Sequence, residues 1–115
     1  MNVQIKRVYD PVERGDGFRV LVDRLWPRGL SKESAEIDLW VKDLAPSTEL
    51  RRWFHSDEGA WTGFKKRYNT ELSAQKAAAI ELRKRIGRRK ATFVYASKSV
   101  DHNHAKLLKA YVEKL

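Results

Sequence analysis

Apolar residues recur along this chain with two spacings, one of two residues and one of three to four, and each marks a kind of element. Val3 to Tyr9 follows the first, with Val3, Ile5 and Tyr9 on one face, and predicts an opening strand. Asp10-Pro11 to Asp16-Gly17 is turn-rich, and its Asp-Gly pair is a hairpin signal. Phe18 to Asp23 has an unbroken apolar centre, Val20-Leu21-Val22, which predicts burial on both faces and a central place in a sheet. Ser31 can cap a short helix running to about Ile37. Leu39 to Leu44 reads as a third strand, ended by Ala45-Pro46.

Helical spacing takes over from there. Ser47 or Thr48 caps a helix carrying Leu50, Trp53 and Phe54, and Ser56 opens another. In that second helix Trp61, Phe64, Tyr68 and Leu72 form a single apolar stripe. Ser73 to Ile86 is Ala-rich and helical, with Gly87 as its stop. Ala91 to Ala96 is the last strand, and Ala105, Leu108, Tyr111, Val112 and Leu115 line a C-terminal helix. The order β-β-α-β-α-α-α-β-α predicts one α/β sandwich over residues 1–115. Its small, mainly parallel sheet of about four strands is flanked by helices, and the last helix packs on it. The aromatic residues Trp53, Phe54, Trp61, Phe64 and Tyr68 are read as core. Trp26 sits in a polar loop, where it either covers a ligand or caps the sheet edge.

Composition narrows the class. With 42% hydrophobic residues the chain can bury one core, and it is too apolar for disorder. The absence of cysteine excludes disulfides, thiolate catalysis and thiolate metal sites. Met1 to Lys6 has no secretory apolar region, and no stretch approaches the roughly 20 apolar residues of a membrane span. A soluble cytoplasmic protein with no membrane contact is expected.

The net charge of +9 is unevenly placed. Residues 1–57 hold ten Lys/Arg and ten Asp/Glu, whereas residues 58–115 hold fourteen against five and carry the whole excess. Its densest part, with Arg83, Arg85, Arg88, Arg89 and Lys90, is either a phosphate-attracting patch for nucleic acid or a solvated helix C-terminus.

Candidate chemistry gathers where strands end. In open α/β sheets ligands bind beyond the carboxyl ends of the strands. The second strand ends in Asp23 and Arg24, followed by Trp26 and Arg28; the third ends near Lys42 and Asp43; the last runs into Lys98, then Asn103 and His104. If these strands are parallel, the polar groups converge on one rim. Arginine forks and helix N-termini suit phosphate or carboxylate oxygens, so a small enzyme or enzyme-like binder of an anionic small molecule, a phosphate, a carboxylate or a nucleotide-like ligand, is expected. Arg24, Arg28, Lys42 and Lys98 would hold it, Trp26 and Asn103 would contact it, and His104 with Asp23 would handle a proton. Ion pairs that merely fix the loops are the alternative. His102 and His104 stand two positions apart, about 200° around a helix, so they cannot share one metal there. No metal or other cofactor is expected. Gly15-Asp16-Gly17 lacks the third glycine of a dinucleotide loop, and Ser97 sits in no nucleophile elbow.

Several of these segments are shared by a known group. Arg7-Val8-Tyr9-Asp10, Gly17 to Gly29, Leu39 to Ser47, Leu50 to His55, Tyr95-Ala96 and Asn103-His104-Ala105 resemble the YeaO-like family of small bacterial proteins, a domain of unknown function. The resemblance spans almost the whole chain and implies a compact α/β domain without an assigned activity. More distant members carry Asp-x-Arg after the second strand and Cys-His-Arg near the last helix. Here Asp23-Arg24 and Asn103-His104-Ala105 stand in those places, so only His104 keeps its type at the second. The roles of the missing cysteine and arginine do not transfer.

Overall fold

In the computed structural model, which describes residues 1–115, four strands lie side by side and run the same way. Their spatial order is β1 (Val3–Arg7), β4 (Ala91–Tyr95), β2 (Phe18–Leu21) and β3 (Leu39–Trp40). The register aligns Val3 and Phe18 with Ala91, and Leu21 with Val94. Five helices complete the domain: α1 (Lys32–Ala35), α2 (Thr48–Phe54), α3 (Trp61–Ala74), α4 (Lys76–Ile86) and α5 (His104–Glu113). The chain is thus a single α/β domain with a wholly parallel sheet.

Strand periodicity splits the sheet into two unlike faces. One face presents Val3, Val20, Ala91, Phe93 and Tyr95 to a large core completed by Phe64, Tyr68 and Leu72 of α3, Leu82 of α4 and Leu108 and Val112 of α5. The other presents Leu21 and Val94 to a smaller cluster closed by Val8, Trp26, Leu30, Ile37 and Trp40. Connections that move from β1 toward β3 cross this thin face, and the return from β3 to β4 crosses the helical one. A constant hand of crossover demands this division, because reversing the direction of travel moves the connection to the opposite face.

Beside the smaller cluster lies a buried polar network. Arg19, 2% exposed, donates from Nη1 to Asp16 Oδ2 at 2.6 Å and from Nε and Nη2 to the Ala35 carbonyl at the end of α1. Lys6 Nζ reaches both Asp16 oxygens at 3.0 and 3.2 Å, and Thr92 Oγ1 donates to the Asp16 carbonyl at 2.6 Å. Burial alone would raise the Asp16 pKa. Hydrogen bonds from Lys6, the Glu13 backbone and Arg19 outweigh it and hold the carboxyl below the usual range. For Lys6 burial pulls the other way and is likewise outweighed, by Asp16 and Glu13, so its ammonium titrates above its ordinary value.

Four local expectations are corrected. Asp16-Gly17 makes no hairpin: residues 14–16 form a turn of 3₁₀ helix, and β1 and β2 both pair with β4 between them. The third strand stops at Trp40, because Lys42–Leu44 winds into another 3₁₀ turn that redirects the chain. Ser56 closes α2, its hydroxyl donating to the Trp53 carbonyl, and α3 begins only at Trp61. The stretch from Ser73 is divided by a bend at Gln75, so α3 ends at Ala74 and α4 begins at Lys76. The caps at Ser31, Ser47 and Gly87 stand as expected.

Gly17 shows why a glycine follows Asp16. Its φ is 63°, and a Cβ there would lie 2.4 Å from the Lys90 carbonyl oxygen where β2 begins its pairing with β4. Gly17→Ala is therefore expected to cost about 2–3 kcal/mol, combining a disfavoured backbone conformation with displacement of the strand. A fall in the urea midpoint without a change in slope checks it.

Candidate functional site

A cleft of about 320 Å³ opens between the carboxyl ends of β2 and β4. After β2 the chain departs over the thin face into α1, and after β4 over the helical face into α5. Adjacent strands whose exits diverge in this way leave a crevice between them, the topological switch point at which open α/β sheets bind ligands.

Asp23 forms the floor. It is 8% exposed, and its Oδ2 accepts the Ala96 amide at 3.0 Å, tying the exit of β2 to that of β4. Oδ1 is fully buried and accepts no well-directed hydrogen bond, although His104 Nε2 stands 3.0 Å away. The same nitrogen lies 2.9 Å from the Val22 carbonyl. With a carbonyl and a carboxylate as its only near neighbours, Nε2 must carry a proton, and Nδ1 is left as the ring's second functional atom. Tyr68 packs edge-on to His104 and donates its hydroxyl to the Leu44 carbonyl at 2.6 Å. Burial, then the charges of Glu71 and Asp23, push the Tyr68 phenol far above its ordinary value, so it is a permanent donor.

Asn103 caps α5, its Oδ1 accepting from the Lys106 amide, while its Nδ2 donates to the Ser99 and Val100 carbonyls. That folds the segment after β4 back over the cleft. Arg7 of β1 steadies the same segment from outside, donating to the carbonyls of Ala96 and Ser97.

The structure brings together part of the expected set. Asp23, Lys98, Asn103 and His104 all line the cleft. Arg24 does not: its guanidinium donates to the Ala45 and Pro46 carbonyls and lines a separate depression against α3. Lys42 lies over the Trp40 ring at 3.9 Å. Arg28 is exposed outside the cleft, where its carbonyl accepts the Tyr9 hydroxyl. Trp26 caps the thin face, its Nε1 donating to the Leu30 carbonyl and its ring edge-on to Trp40. Of its two readings, the structure places it as a cap on the sheet.

Other residues were not anticipated at the rim. Arg51, Phe54 and His55 arrive from the end of α2, and Trp61 and Phe64 from the start of α3. The helix α2 has seven residues and advances only about 10 Å, so its far end stays beside the strand ends. All three histidines of the chain, His55, His102 and His104, consequently line one cleft. No set of three or more histidine, aspartate or glutamate side chains converges with metal-binding geometry.

In the basic stretch, Arg83 is committed to the Val112 and Glu113 carbonyls at the end of α5. Arg89 donates to the Arg85 and Ile86 carbonyls and lies over the Phe18 ring at 3.9 Å. Lys90 is half-buried, whereas Arg85 and Arg88 are exposed.

Fold and cleft together define a small parallel α/β domain with a histidine-rich crevice at its topological switch point. The chain belongs to the family described as the inactive DUF488-N3 subclade, whose model matches residues 2–115. It is 41% identical to the uncharacterized protein YeaO of Escherichia coli K12 over the full length of both chains. It is also 44% identical over 106 residues to the uncharacterized protein Rv3073c of Mycobacterium tuberculosis H37Rv, covering 92% of this chain and 89% of that one. The uncharacterized protein Mb3100c of Mycobacterium bovis matches to the same extent. No solved structure matches. No helix is long and apolar enough to cross a membrane.

Proposed function

We propose that the protein binds an anionic small molecule in the cleft between the ends of β2 and β4. One observation carries this reading: two unpaired cations face a crevice that holds a single carboxylate. Arg51 and Lys98 line the cleft, and the ion pairs of the chain leave both free: Lys6 with Glu13 and Asp16, Arg19 with Asp16, and Lys106 with Asp101. Asp23 is the sole acid among the lining residues, and His104 stands against it. A crevice with an excess of free cations and low-dielectric walls draws negative charge.

Asp23 and His104 stand close enough for proton transfer, a buried carboxylate oxygen lying 3.0 Å from an imidazole nitrogen that the Val22 carbonyl also faces. The description of the family as inactive favours an enzyme-like binder over turnover, and His104 then serves as a hydrogen-bonding group for the ligand. The nucleic-acid alternative rests on the exposed Arg85 and Arg88, with Arg83 and Arg89 held by carbonyls of the chain itself.

Thermal unfolding in inorganic phosphate at low ionic strength tests the reading. Phosphate at ten times its Kd stabilises by about 1.4 kcal/mol, a rise of about 5 °C in Tm for a domain of this size. Combining Arg51→Ala with Lys98→Ala, both exposed positions, is expected to abolish the rise and leave the ligand-free Tm within about 2 °C. Absence of any rise with phosphate, sulfate and small carboxylates overturns the proposal.

A further inference from the structure

We infer that the anion is a mononucleotide, its base stacked on the aromatic wall of the cleft and its phosphate held by Arg51 and Lys98; this rests on the anion-binding reading of the same site. The wall is built as a graded stack of rings. Phe64, 3% exposed, lies parallel to Trp61 with centroids 5.5 Å apart and planes 11° apart. Trp61, half-buried, lies parallel to His102 at 4.8 Å and 10°. His102 is exposed, so the stack climbs from the core and ends at the cleft in a flat heteroaromatic face.

The position of His102 is fixed through its backbone. Its amide donates to Ser99 Oγ at 3.0 Å, and Asn103 holds the Ser99 and Val100 carbonyls. The imidazole itself makes no hydrogen bond or ion pair in the chain; its one defined contact is the stack on Trp61. Two ring nitrogens and one π face are therefore available to a ligand. A bare phosphate or sugar phosphate brings nothing for that face, whereas a nucleobase stacks on an aromatic side chain with about 1–3 kcal/mol.

Charge and size agree. A phosphomonoester carries about −1.5 to −2 charges at neutral pH, which two free cations match. Small-molecule pockets run from about 300 to 1,000 Å³. The 320 Å³ cleft lies at the lower end of that range, with room for one nucleotide. With a stacking face as the recognised feature, the larger purine rings are expected to bind tighter than pyrimidines.

Isothermal titration at one low ionic strength, with AMP, ribose 5-phosphate, adenosine and inorganic phosphate, tests this. AMP is expected to bind about tenfold tighter than ribose 5-phosphate. His102→Ala, at an exposed position, is expected to remove that advantage while changing ribose 5-phosphate affinity less than twofold. Lys98→Ala should weaken AMP and ribose 5-phosphate alike. Equal binding of AMP and ribose 5-phosphate, or an equal loss of both in His102→Ala, overturns the mononucleotide inference and leaves the anion reading standing. Adenosine binding as tightly as AMP, or no binding by any of the four, overturns both.

Discussion

Asp16→Ala is expected to lower the unfolding free energy by about 3–5 kcal/mol, a large share of the roughly 5–15 kcal/mol typical of such a domain. The carboxylate and the Arg19 guanidinium are both almost completely buried, so its loss strands a positive charge beneath the sheet. Lys6 escapes more easily, having the Pro11 carbonyl and Glu13 at hand. Acid should reproduce part of the effect. Because the Asp16 pKa is lowered by folding, its contribution is complete above the ordinary carboxyl value near 4 and is lost as pH falls through the lower folded-state value. Lys6 gives the opposite limit: its raised pKa supplies stability below its ordinary value, near 10, that disappears as pH rises through the folded one. Urea titrations between pH 2 and 7 should show stability falling at the acid end in the wild type. The pH dependence due to Asp16 should be absent from the variant. A loss below about 1 kcal/mol for Asp16→Ala would mean that Arg19 finds another partner.

Asp23→Ala is expected to cost about 2–3 kcal/mol, because the Ala96 amide loses its acceptor in a partly buried setting. Hydrogen exchange at Ala96 should accelerate in step. Asp23→Asn keeps an acceptor in place and should recover most of that loss. Both variants remove the only carboxylate from the cleft, so both should bind inorganic phosphate several-fold more tightly, an effect on the order of 1 kcal/mol. Tighter phosphate binding alongside lower stability separates the electrostatic role of Asp23 from its structural one. Weaker binding in both variants would instead identify the carboxylate as an organiser of the anion site.

The two sites differ in how far they could be read from the sequence. The unbroken Val20-Leu21-Val22 run announced an interior strand, and β2 is one, because a strand covered on both faces cannot alternate. The short polar residues at Ser31 and Ser47 and the glycine at Gly87 announced helix ends for reasons local to a few residues. Asp16-Gly17 misled because a glycine with positive φ serves a close backbone approach as readily as a hairpin, and only the partner at Lys90 decides. At the rim, Asp23 and Arg24 were expected to act together. β2 ends at Leu21, so strand alternation does not govern these two residues: the cleft received Asp23, and Arg24 turned to the carbonyls beyond β3. Arg51, His55 and Trp61 could not be foreseen at the cleft, since their placement depends on how α2 and α3 fold back over the strand ends. Trp61 had a core spacing and a core neighbour, and nothing local distinguishes a ring inside the core from one at its margin.

The pairing order of the strands also governs when this chain can fold. β1 is made well before its hydrogen-bonding partner β4, which follows almost ninety residues later. β2 can meet β3 early but only over two paired positions, too few to hold by themselves. Until Ala91–Tyr95 is available there is no central strand, and the Val3, Phe18 and Val20 side chains have no sheet to complete. A nascent chain truncated before Ala91 should therefore remain protease-sensitive, with folding of this domain deferred until β4 has been made.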